Sequence, residues 1–518
     1  MTLDHFLEHH GLIENPFAGE EARHDAVFAR MSDAVSGVRA ARHAEFQKIV
    51  GDVAHPGTAV VFGEKGAGKT ALRLQVEAAA ERHNQTTPGR RVLVVACDDL
   101  DPFLERLHAR FRTVKGGKES PVLDSLKRIR VQDHIDIIMH LVVPRLVDAL
   151  LGHAPRAAGP VPVGAEPRLA LKTLDRSLKR DLLVLQVCYD RADQASERSA
   201  ELRRAMNLRR PIGLMVEGTV AFFGWLLPAG VLALWWYYTA REVTPVWSTA
   251  FFAAMGVWLA FLLKRAVGDR FGLRHRAHRL QRQVRITGRP EPSFLASLRQ
   301  LYPWWRTSSI LPTTDNESVR MEMVQRLLRV LRQFGHAGLI VVIDRVDEPA
   351  LVAGDPERMK AIVWPVLNSR LLHTDGLGIK LLLPIELRHM LMRESAAFFT
   401  AARLDKQNLV EDLSWSGATL YDLCNLRLAA CRREGAESPT TLADLFAEDV
   451  VREELLGALN EMRQPRDAFR FIYRCIATHC QRTTDDSGQW RISKGVLEEV
   501  RKQQVERMKE LQMGVRPG

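Results

Sequence analysis

The most informative segment of this 518-residue chain is TAVVFGEKGAGKTAL, residues 58–72. A short apolar run precedes the octet Gly63–Thr70, and helix-forming residues follow it. This is the G-x-x-x-x-G-K-[ST] pattern in the strand, loop and helix context that it requires. The glycines let backbone N–H groups turn inward toward phosphate oxygens at a helix N-terminus, whose dipole favours negative charge. The stretch therefore predicts an α/β fold with a parallel sheet and a P-loop that binds phosphate.

Two side chains of the octet are expected to contact different parts of Mg²⁺-ATP. We expect Lys69 to reach the β- and γ-phosphates of ATP, and Thr70 to place its hydroxyl on Mg²⁺. The alternative is a glycine-rich turn that binds nothing. The predicted nucleotide-binding residues are Gly63, Glu64, Lys65, Gly66, Ala67, Gly68, Lys69, Thr70 and Ala71.

A second motif supplies acidic residues. In GLIVVIDRVDEP, residues 338–349, five apolar residues run into Asp344. We expect Asp344 to hold Mg²⁺ through its water shell, and Asp347 or Glu348 to orient or deprotonate the attacking water. Arg345 stands where a second acid is often found, so binding is predicted more firmly than hydrolysis. The alternative is that these acids only end a strand.

Two further segments offer charges to the same site. IKLLLPIELR, residues 379–388, predicts a buried strand that ends at Glu386 and Arg388, where a polar group could sense the phosphate. MRQPRDAFR, residues 462–470, places Arg466 at a helix start, where it would contact the γ-phosphate as a catalytic residue. The alternative in both segments is an ordinary solvated charge.

Two apolar stretches predict a membrane hairpin. Residues 218–240 and 243–263 carry no charge over 23 and 21 residues, and each is long enough to span a bilayer. The alternative is a buried helical hairpin of a soluble protein. Aromatic residues, typical of a membrane–water boundary, surround the Arg241-Glu242 turn; they are Trp235, Trp236, Tyr237, Tyr238 and Trp247.

The basic residues are concentrated beside this hairpin. Residues 200–210 carry four Arg and one Glu, and residues 264–289 carry nine Lys or Arg and one Asp, out of a net charge of +11. By the positive-inside rule, both termini are expected in the cytoplasm of a two-pass inner-membrane protein. The rest of the chain is near neutral, so nucleic acid is not indicated as a partner. Residues 270–289 remain open to three interpretations: a determinant of topology, which we favour, a surface for anionic head groups, or a nucleic-acid contact.

The spacing of the motifs predicts an insertion within the α/β core. Thr70 and Asp344 are 274 positions apart, more than a compact core requires. Six scattered cysteines without a C-x-x-C pair indicate neither a disulfide framework nor a zinc ribbon, and they favour a reducing compartment. The predicted regions are the first half of the core (1–110), a helical insertion and stalk (111–210), the transmembrane hairpin (211–263), a basic juxtamembrane helix and return segment (264–313), the second half of the core (314–399) and a helical C-terminal subdomain (400–518).

This arrangement resembles the KAP family of P-loop NTPases, in which paired transmembrane helices lie between the two nucleotide motifs. GEKGAGKT, the hairpin and VVIDRVDEP carry the resemblance, and the last is similar to the D-x-h-D form of KAP and STAND-type ATPases, with Asp344 and Asp347 as the acids. GLIENPFAGE, residues 11–20, is similar to an N-terminal segment of ExeA-like and Orc-like AAA+ ATPases, and MRQPRDAFR to their sensor-2 region.

The resemblance implies ATP binding, assembly near the membrane as a homo-oligomer or with a protein partner, and in bacteria a role in signalling or phage defence. The sequence as a whole predicts a membrane-anchored ATPase that uses Mg²⁺-ATP turnover to change its assembly or partner contacts. An ATP-binding scaffold or switch with little hydrolysis is the alternative, and a transporter or channel subunit is a third possibility.

Overall fold

A computed structural model describes residues 1–19, 21–32, 42–111, 121–154, 161–208, 219–238, 245–263, 270–402, 404, 408–433 and 441–512. The chain divides into two units. The first comprises Met1–Asp101 and Ala337–Gly518, and the second comprises Pro102–His336. The second unit thus interrupts the first between the two nucleotide motifs.

The first unit is built around a five-stranded sheet in the order β2-β3-β4-β1-β5. The strands are β1 (Ala59–Gly63), β2 (Arg91–Cys97), β3 (His336–Ile343), β4 (Leu377–Pro384) and β5 (Asn408–Val410). β1 is completely buried and pairs in parallel with both β4 and β5, while β3 pairs in parallel with β4. Near-continuous apolar runs suit strands that are covered on both faces. The predicted α/β class with a parallel sheet is confirmed.

Two hydrophobic cores stabilise the first unit. One lies between the sheet and the helix Lys69–Thr86 and includes Val61, Leu72 and Val342. The other joins N-terminal residues such as Phe6 and Phe17 to the C-terminal helices. The helices of this unit are Leu3–His9, Ala26–Ser32, Phe46–Val50, Lys69–Thr86, Pro356–Leu367, Ile385–Leu391, Ala396–Ala402, Gly417–Ala430, Arg452–Met462, Pro465–Arg482 and Lys494–Gln512.

Two boundaries differ from the sequence prediction. β4 ends at Pro384, and Glu386 and Arg388 lie in the helix Ile385–Leu391 rather than at a strand end. Proline has no N–H to donate to a sheet ladder, so the strand stops there. In addition, β5 at Asn408–Val410 belongs to the sheet, although residues 400–518 were predicted to be helical.

The second unit is helical in its described part. The helices Val131–Leu151, Arg176–Tyr189 and Glu317–Gln333 pack against one another. Their interface contains buried ion pairs as well as apolar side chains, such as Asp136 with Arg320 at 2.9 Å. The remaining helices are Asp101–Phe111, which starts at the unit boundary, Val122–Leu126, Pro167–Thr173, Ala195–Ala205, Leu226–Tyr238, Pro245–Leu263, Arg270–Gln283 and Glu291–Leu298.

Two helical stretches of the second unit, Thr219–Tyr237 and Val246–Leu263, are long and apolar enough to cross a membrane. Only 6% of the apolar window of each stretch is buried, which argues against a buried hairpin in a soluble core. The two pack closely, since a Cβ at Gly224 would lie 2.5 Å from Trp258 Cδ1. The predicted turn at Arg241-Glu242 lies outside the described residues, as do residues 209–218 and 264–269.

Candidate functional site

The glycine-rich loop connects β1 to the helix Lys69–Thr86 through two left-handed residues. Gly66 has φ 102° and Gly68 has φ 94°, conformations that L side chains rarely adopt. A Cβ at Gly66 would also lie 2.8 Å from Gln464 Oε1. Glycine is therefore required at Gly66 both for its backbone conformation and for space.

Lys69 begins the helix and is held inside the loop. Its Nζ donates hydrogen bonds to the carbonyl oxygens of Gly63, at 2.7 Å, and Glu64, at 3.0 Å. Burial lowers the pKa of Lys69, and the nearby Asp347 and Asp344 oppose that shift. The ammonium group thus sits between the loop carbonyls and two acids.

Thr70 contacts the acid that follows β3. Its Oγ1 donates to Asp344 Oδ2 at 3.1 Å, although the two residues are 274 positions apart. Asp344 is 1% exposed, and its Oδ1 accepts the Arg345 N–H at 2.9 Å. Burial raises the pKa of Asp344, while Arg73 and the Thr70 hydroxyl act in the opposite direction. One hydroxyl and one buried carboxylate therefore meet at the carboxyl edge of the sheet.

Arg73, which the sequence reasoning missed, lies between two acids. Its Nη1 is 2.7 Å from Asp98 Oδ2, and its Nε is 3.8 Å from Asp344 Oδ2. Asp98 also pairs with Arg23 of the N-terminal segment. Asp98 follows β2 as Asp344 follows β3, and the carboxyl ends of neighbouring parallel strands share one edge. The position of Asp98 directly after a strand is the feature of the sequence that could have identified it as a residue of this site.

Asp347 and Glu348, the two candidates for activating water, differ in their surroundings. Glu348 is exposed, and its Oε2 is 2.6 Å from Arg345 Nε. Arg345 has φ 60°, a left-handed conformation that is uncommon for a residue with a side chain. Asp347 is half-buried and contributes more than Asp344 to keeping Lys69 charged. Of the two acids, Asp347 is the one closely associated with the loop.

The C-terminal helices hold the loop from the opposite side. Gln464 donates a close hydrogen bond to the Glu64 carboxylate, and Trp415 Nε1 donates to the Ala67 carbonyl at 2.9 Å. Arg466, in the first turn of the helix Pro465–Arg482, lines the same cavity. Its Nε is buried and has no hydrogen-bond partner within the described ranges. The predicted position of Arg466 beside the loop agrees with this arrangement.

A cavity runs from the loop toward the N-terminal segment. Its polar lining includes Lys69, Thr70, Asp344, Asp347 and Arg466, with Lys65 and Ala71 also in the lining. Its apolar lining includes Phe28, Met31, Leu423 and Phe469. A cavity lined by both charged and apolar side chains suits a ligand that carries both phosphates and a flat ring.

The N-terminal side of this cavity is fixed by a buried ion pair. Arg427 Nη2 is 2.7 Å from Asp25 Oδ2, and Arg427 Nε donates to the Pro16 carbonyl at 2.6 Å. The guanidinium group also lies 4.4 Å from the centre of the Phe469 ring. The segment GLIENPFAGE is thereby attached to the C-terminal helices.

Glu386 and Arg388 have different environments. Arg388 already has an anionic partner, since its Nη2 is 3.0 Å from Glu411 Oε2. Glu386 is exposed in the first turn of its helix, but its charge favours the ammonium form of Lys69. Only Glu386 therefore remains a candidate for sensing a ligand.

Thr70 and Asp344 fit a magnesium ion that is shared with phosphate. The described residues contain no group of three or more His, Cys, Asp or Glu side chains suited to hold a metal. Mg²⁺ beside a nucleotide needs few protein ligands, because phosphate oxygens and water complete its octahedron. The six cysteines are buried and free, and burial raises the pKa of Cys97 to about 12, so a reactive thiol is not indicated there.

The fold and these contacts define an α/β protein with a parallel five-stranded sheet, a glycine-rich loop at its carboxyl edge and two apolar helices in an inserted helical unit. Comparison with known proteins finds no matching family model, curated protein or solved structure. The resemblance to the KAP family stays a prediction from the motifs.

Proposed function

We propose that this protein is a membrane-anchored P-loop ATPase that binds Mg²⁺-ATP and uses its hydrolysis to change its assembly or its contacts with a partner. The observation that carries the proposal is the hydrogen bond from Thr70 to Asp344. These are the two side chains that a P-loop site needs beside a shared Mg²⁺. The second unit separates them in sequence, and the sheet brings them together.

Nucleotide binding uses the loop Gly63–Thr70. Its backbone N–H groups and the N-terminus of the following helix attract phosphate oxygens. Lys69 Nζ would exchange the carbonyl oxygens of Gly63 and Glu64 for the β- and γ-phosphates. Thr70 and Asp344 would hold Mg²⁺, which neutralises phosphate charge. The apolar part of the cavity lining, which includes Phe28 and Phe469, would receive the base.

Hydrolysis requires a group that takes a proton from water. Asp347 is half-buried beside Lys69 and would accept that proton as water attacks the γ-phosphorus. The bond from the γ-phosphorus to the bridging oxygen then breaks, which gives ADP and phosphate. Arg466 Nε, buried and unpaired within the described part, would donate to the γ-phosphate as its charge is redistributed.

Nucleotide binding by the purified full-length protein tests the first half of this proposal. We expect Lys69→Ala to weaken ATP binding strongly, because both the ammonium and the loop geometry are affected. Lys502→Ala, at an exposed lysine outside the loop, is the matched control and should bind ATP like the wild type. Unchanged binding in Lys69→Ala would contradict the assignment of the loop.

A second candidate function is an ATP-binding scaffold or switch that hardly hydrolyses ATP. The ion pair between Arg345 and Glu348 favours it, because it occupies one of the two acids that could activate water. Tight ATP binding without turnover in the wild type would support the switch. A homo-oligomer or protein partner would then supply the missing catalytic group.

For localisation, we propose a two-pass protein of the cytoplasmic membrane with both termini in the cytoplasm. The two exposed apolar helices and the basic residues that flank them support this topology. This topology is tested by introducing a single cysteine at Arg241 or at Arg393 and labelling intact cells from the outside. Labelling at position 241 alone is expected, whereas labelling at position 393 would contradict the topology.

A further inference from the structure

The helix Arg270–Gln283 begins seven residues after the end of the second apolar helix. Its sequence, RFGLRHRAHRLQRQ, holds five Arg and two His and no Asp or Glu. Helices on the surface of soluble proteins usually mix charges of both signs. Outside the helix, His278 Nδ1 lies 3.2 Å from the Glu291 carboxylate, which leaves the charges of the exposed arginines without an acid on their own helix.

The described side chains of this helix include two buried apolar residues and four exposed arginines. Ala277 and Leu280 are fully buried, and the helix packs against Glu291–Leu298. The exposed arginines are Arg274, Arg276, Arg279 and Arg282. Within the described residues, none of these four guanidinium groups makes a hydrogen bond or an ion pair, and we call them the basic face.

The helix that carries the basic face is held by its neighbours in the helical unit. The helix Glu291–Leu298 packs against Arg270–Gln283 and also against Ala195–Ala205, which precedes the first apolar helix in the sequence. Arg110 donates to the carbonyl oxygens of Gln281 and Arg282, at 3.2 and 3.0 Å, and so holds the end of the basic helix.

Exposed aromatic rings accompany these charges. Phe271, at the start of the basic helix, is 71% exposed, and Trp304 is 49% exposed. Tyr302 stacks on Trp304 with 4.9 Å between ring centres, and Arg203 of the helix Ala195–Ala205 lies 5.0 Å from the Tyr302 ring. Exposed aromatic rings next to basic residues are typical of surfaces that rest on the membrane interface.

We propose that the basic face binds the head groups of anionic phospholipids in the membrane that the apolar hairpin crosses. The charge complementarity and the short distance along the chain from the apolar helix select this ligand. A topology signal alone would need the charges but not a helix that is held in place with those charges exposed. The inference rests on the membrane anchor in the proposed function and adds a lipid class to it.

Lipid binding to the detergent-purified full-length protein tests the proposal. Native mass spectrometry would compare phosphatidylglycerol with phosphatidylcholine at low salt. A basic residue near an anionic surface strengthens binding by about fivefold. We therefore expect Arg274→Gln/Arg276→Gln/Arg279→Gln to weaken phosphatidylglycerol binding by roughly 100-fold, with phosphatidylcholine binding unchanged. The corresponding triple lysine variant, which keeps the charge, should bind like the wild type.

The matched control removes the same charge from exposed sites of the first unit, in Arg393→Gln/Lys502→Gln/Lys509→Gln. An equal loss in this control, or no preference for phosphatidylglycerol in the wild type, would overturn the proposal. The proposal would also be overturned if the wild-type protein bound a DNA duplex and lost that binding in Arg274→Gln/Arg276→Gln/Arg279→Gln. Alkaline extraction of membranes separates the claims: release of the wild-type protein contradicts the anchor, whereas retention without a lipid preference contradicts only the basic face.

Discussion

The Thr70 hydroxyl donates a hydrogen bond to the Asp344 carboxylate at 3.1 Å, across 274 positions of sequence. Thr70 lies at the start of the helix after β1, and Asp344 follows β3, with β4 between these strands in the sheet. The sheet order therefore fixes a hydroxyl and a buried acid at one edge. We propose this pair as the protein part of a Mg²⁺ site whose further ligands would come from phosphate and water.

Asp344→Asn tests this pair directly. Asparagine keeps the shape and still accepts a hydrogen bond from Thr70, but it lacks the charge that attracts Mg²⁺. We expect the Mg²⁺ concentration needed for ATP binding to rise by about 10- to 100-fold, the range seen when a metal site loses one supporting group. Titration of Mg²⁺ at fixed ATP measures the effect. Asp449→Asn, at an exposed carboxylate, should leave the titration unchanged.

Arg73 is expected to be important for stability because it separates two acids. Arg73→Gln would leave Asp98 and Asp344 without their shared cation in a buried site. Removing one member of a buried ion pair costs about 3–5 kcal/mol. Thermal unfolding should show a lower Tm for Arg73→Gln, partly restored in Arg73→Gln/Asp98→Asn. A Tm equal to that of the wild type in the single variant would contradict this role.

Asp347 and Glu348 are expected to contribute unequally to turnover. Asp347→Asn removes the acid beside Lys69, and general-base residues contribute about 10²- to 10⁴-fold to rates. Glu348→Gln removes only the partner of Arg345, so we expect less than about tenfold loss. Steady-state ATP hydrolysis by both variants shows which of the two acids activates the attacking water. A larger loss in Glu348→Gln would assign the water-activating role to Glu348.

Lys380 provides a test of pH dependence. It is fully buried in β4, its Nζ donates to the Val50 carbonyl at 3.1 Å, and burial lowers its pKa to about 8 from 10.5. As pH rises from about 8 to 10.5, the folded state loses this proton before the unfolded state does. The unfolded state then binds more protons, so the contribution of Lys380 to stability rises with pH in this window.

Lys380→Met is therefore expected to be more stable than the wild type at pH 7. The shift corresponds to a gain on the order of 3 kcal/mol, and the gain should shrink toward pH 10. Denaturant unfolding from pH 7 to 10 measures it. Lys502→Met, at an exposed lysine, should change neither the stability nor its pH dependence. A gain that stays constant with pH would mean that improved packing, not removal of the charge, is responsible.

The sequence predicted the parts of the site that depend on local pattern. The octet Gly63–Thr70 and the apolar strand before Asp344 can both be recognised from adjacent residues. The contacts of Gln464 with Glu64 and of Trp415 with Ala67 join residues 400 and 348 positions apart, so they depend on tertiary packing. β5 has only three residues, too few for a periodic signal.

The partners of the charged side chains could not be predicted from the sequence either. Arg345 could be recognised as an unusual residue after Asp344, but its pairing with Glu348 depends on a left-handed backbone. Arg73 lies on a helix face that gives no hint of the two acids around it. Both pairings follow from burial, because a charge inside a protein is stable only beside a partner. The order of residues in the sequence does not reveal which partner that is.

The most direct measurement of the central claim is Mg²⁺-dependent ATP hydrolysis by the detergent-purified full-length protein beside Lys69→Ala. We expect turnover in the wild type that requires Mg²⁺ and disappears in Lys69→Ala, while both proteins have the same Tm without nucleotide. Turnover at the wild-type rate in Lys69→Ala would mean that the hydrolysis occurs without the glycine-rich loop, and the protein would then not be a P-loop ATPase.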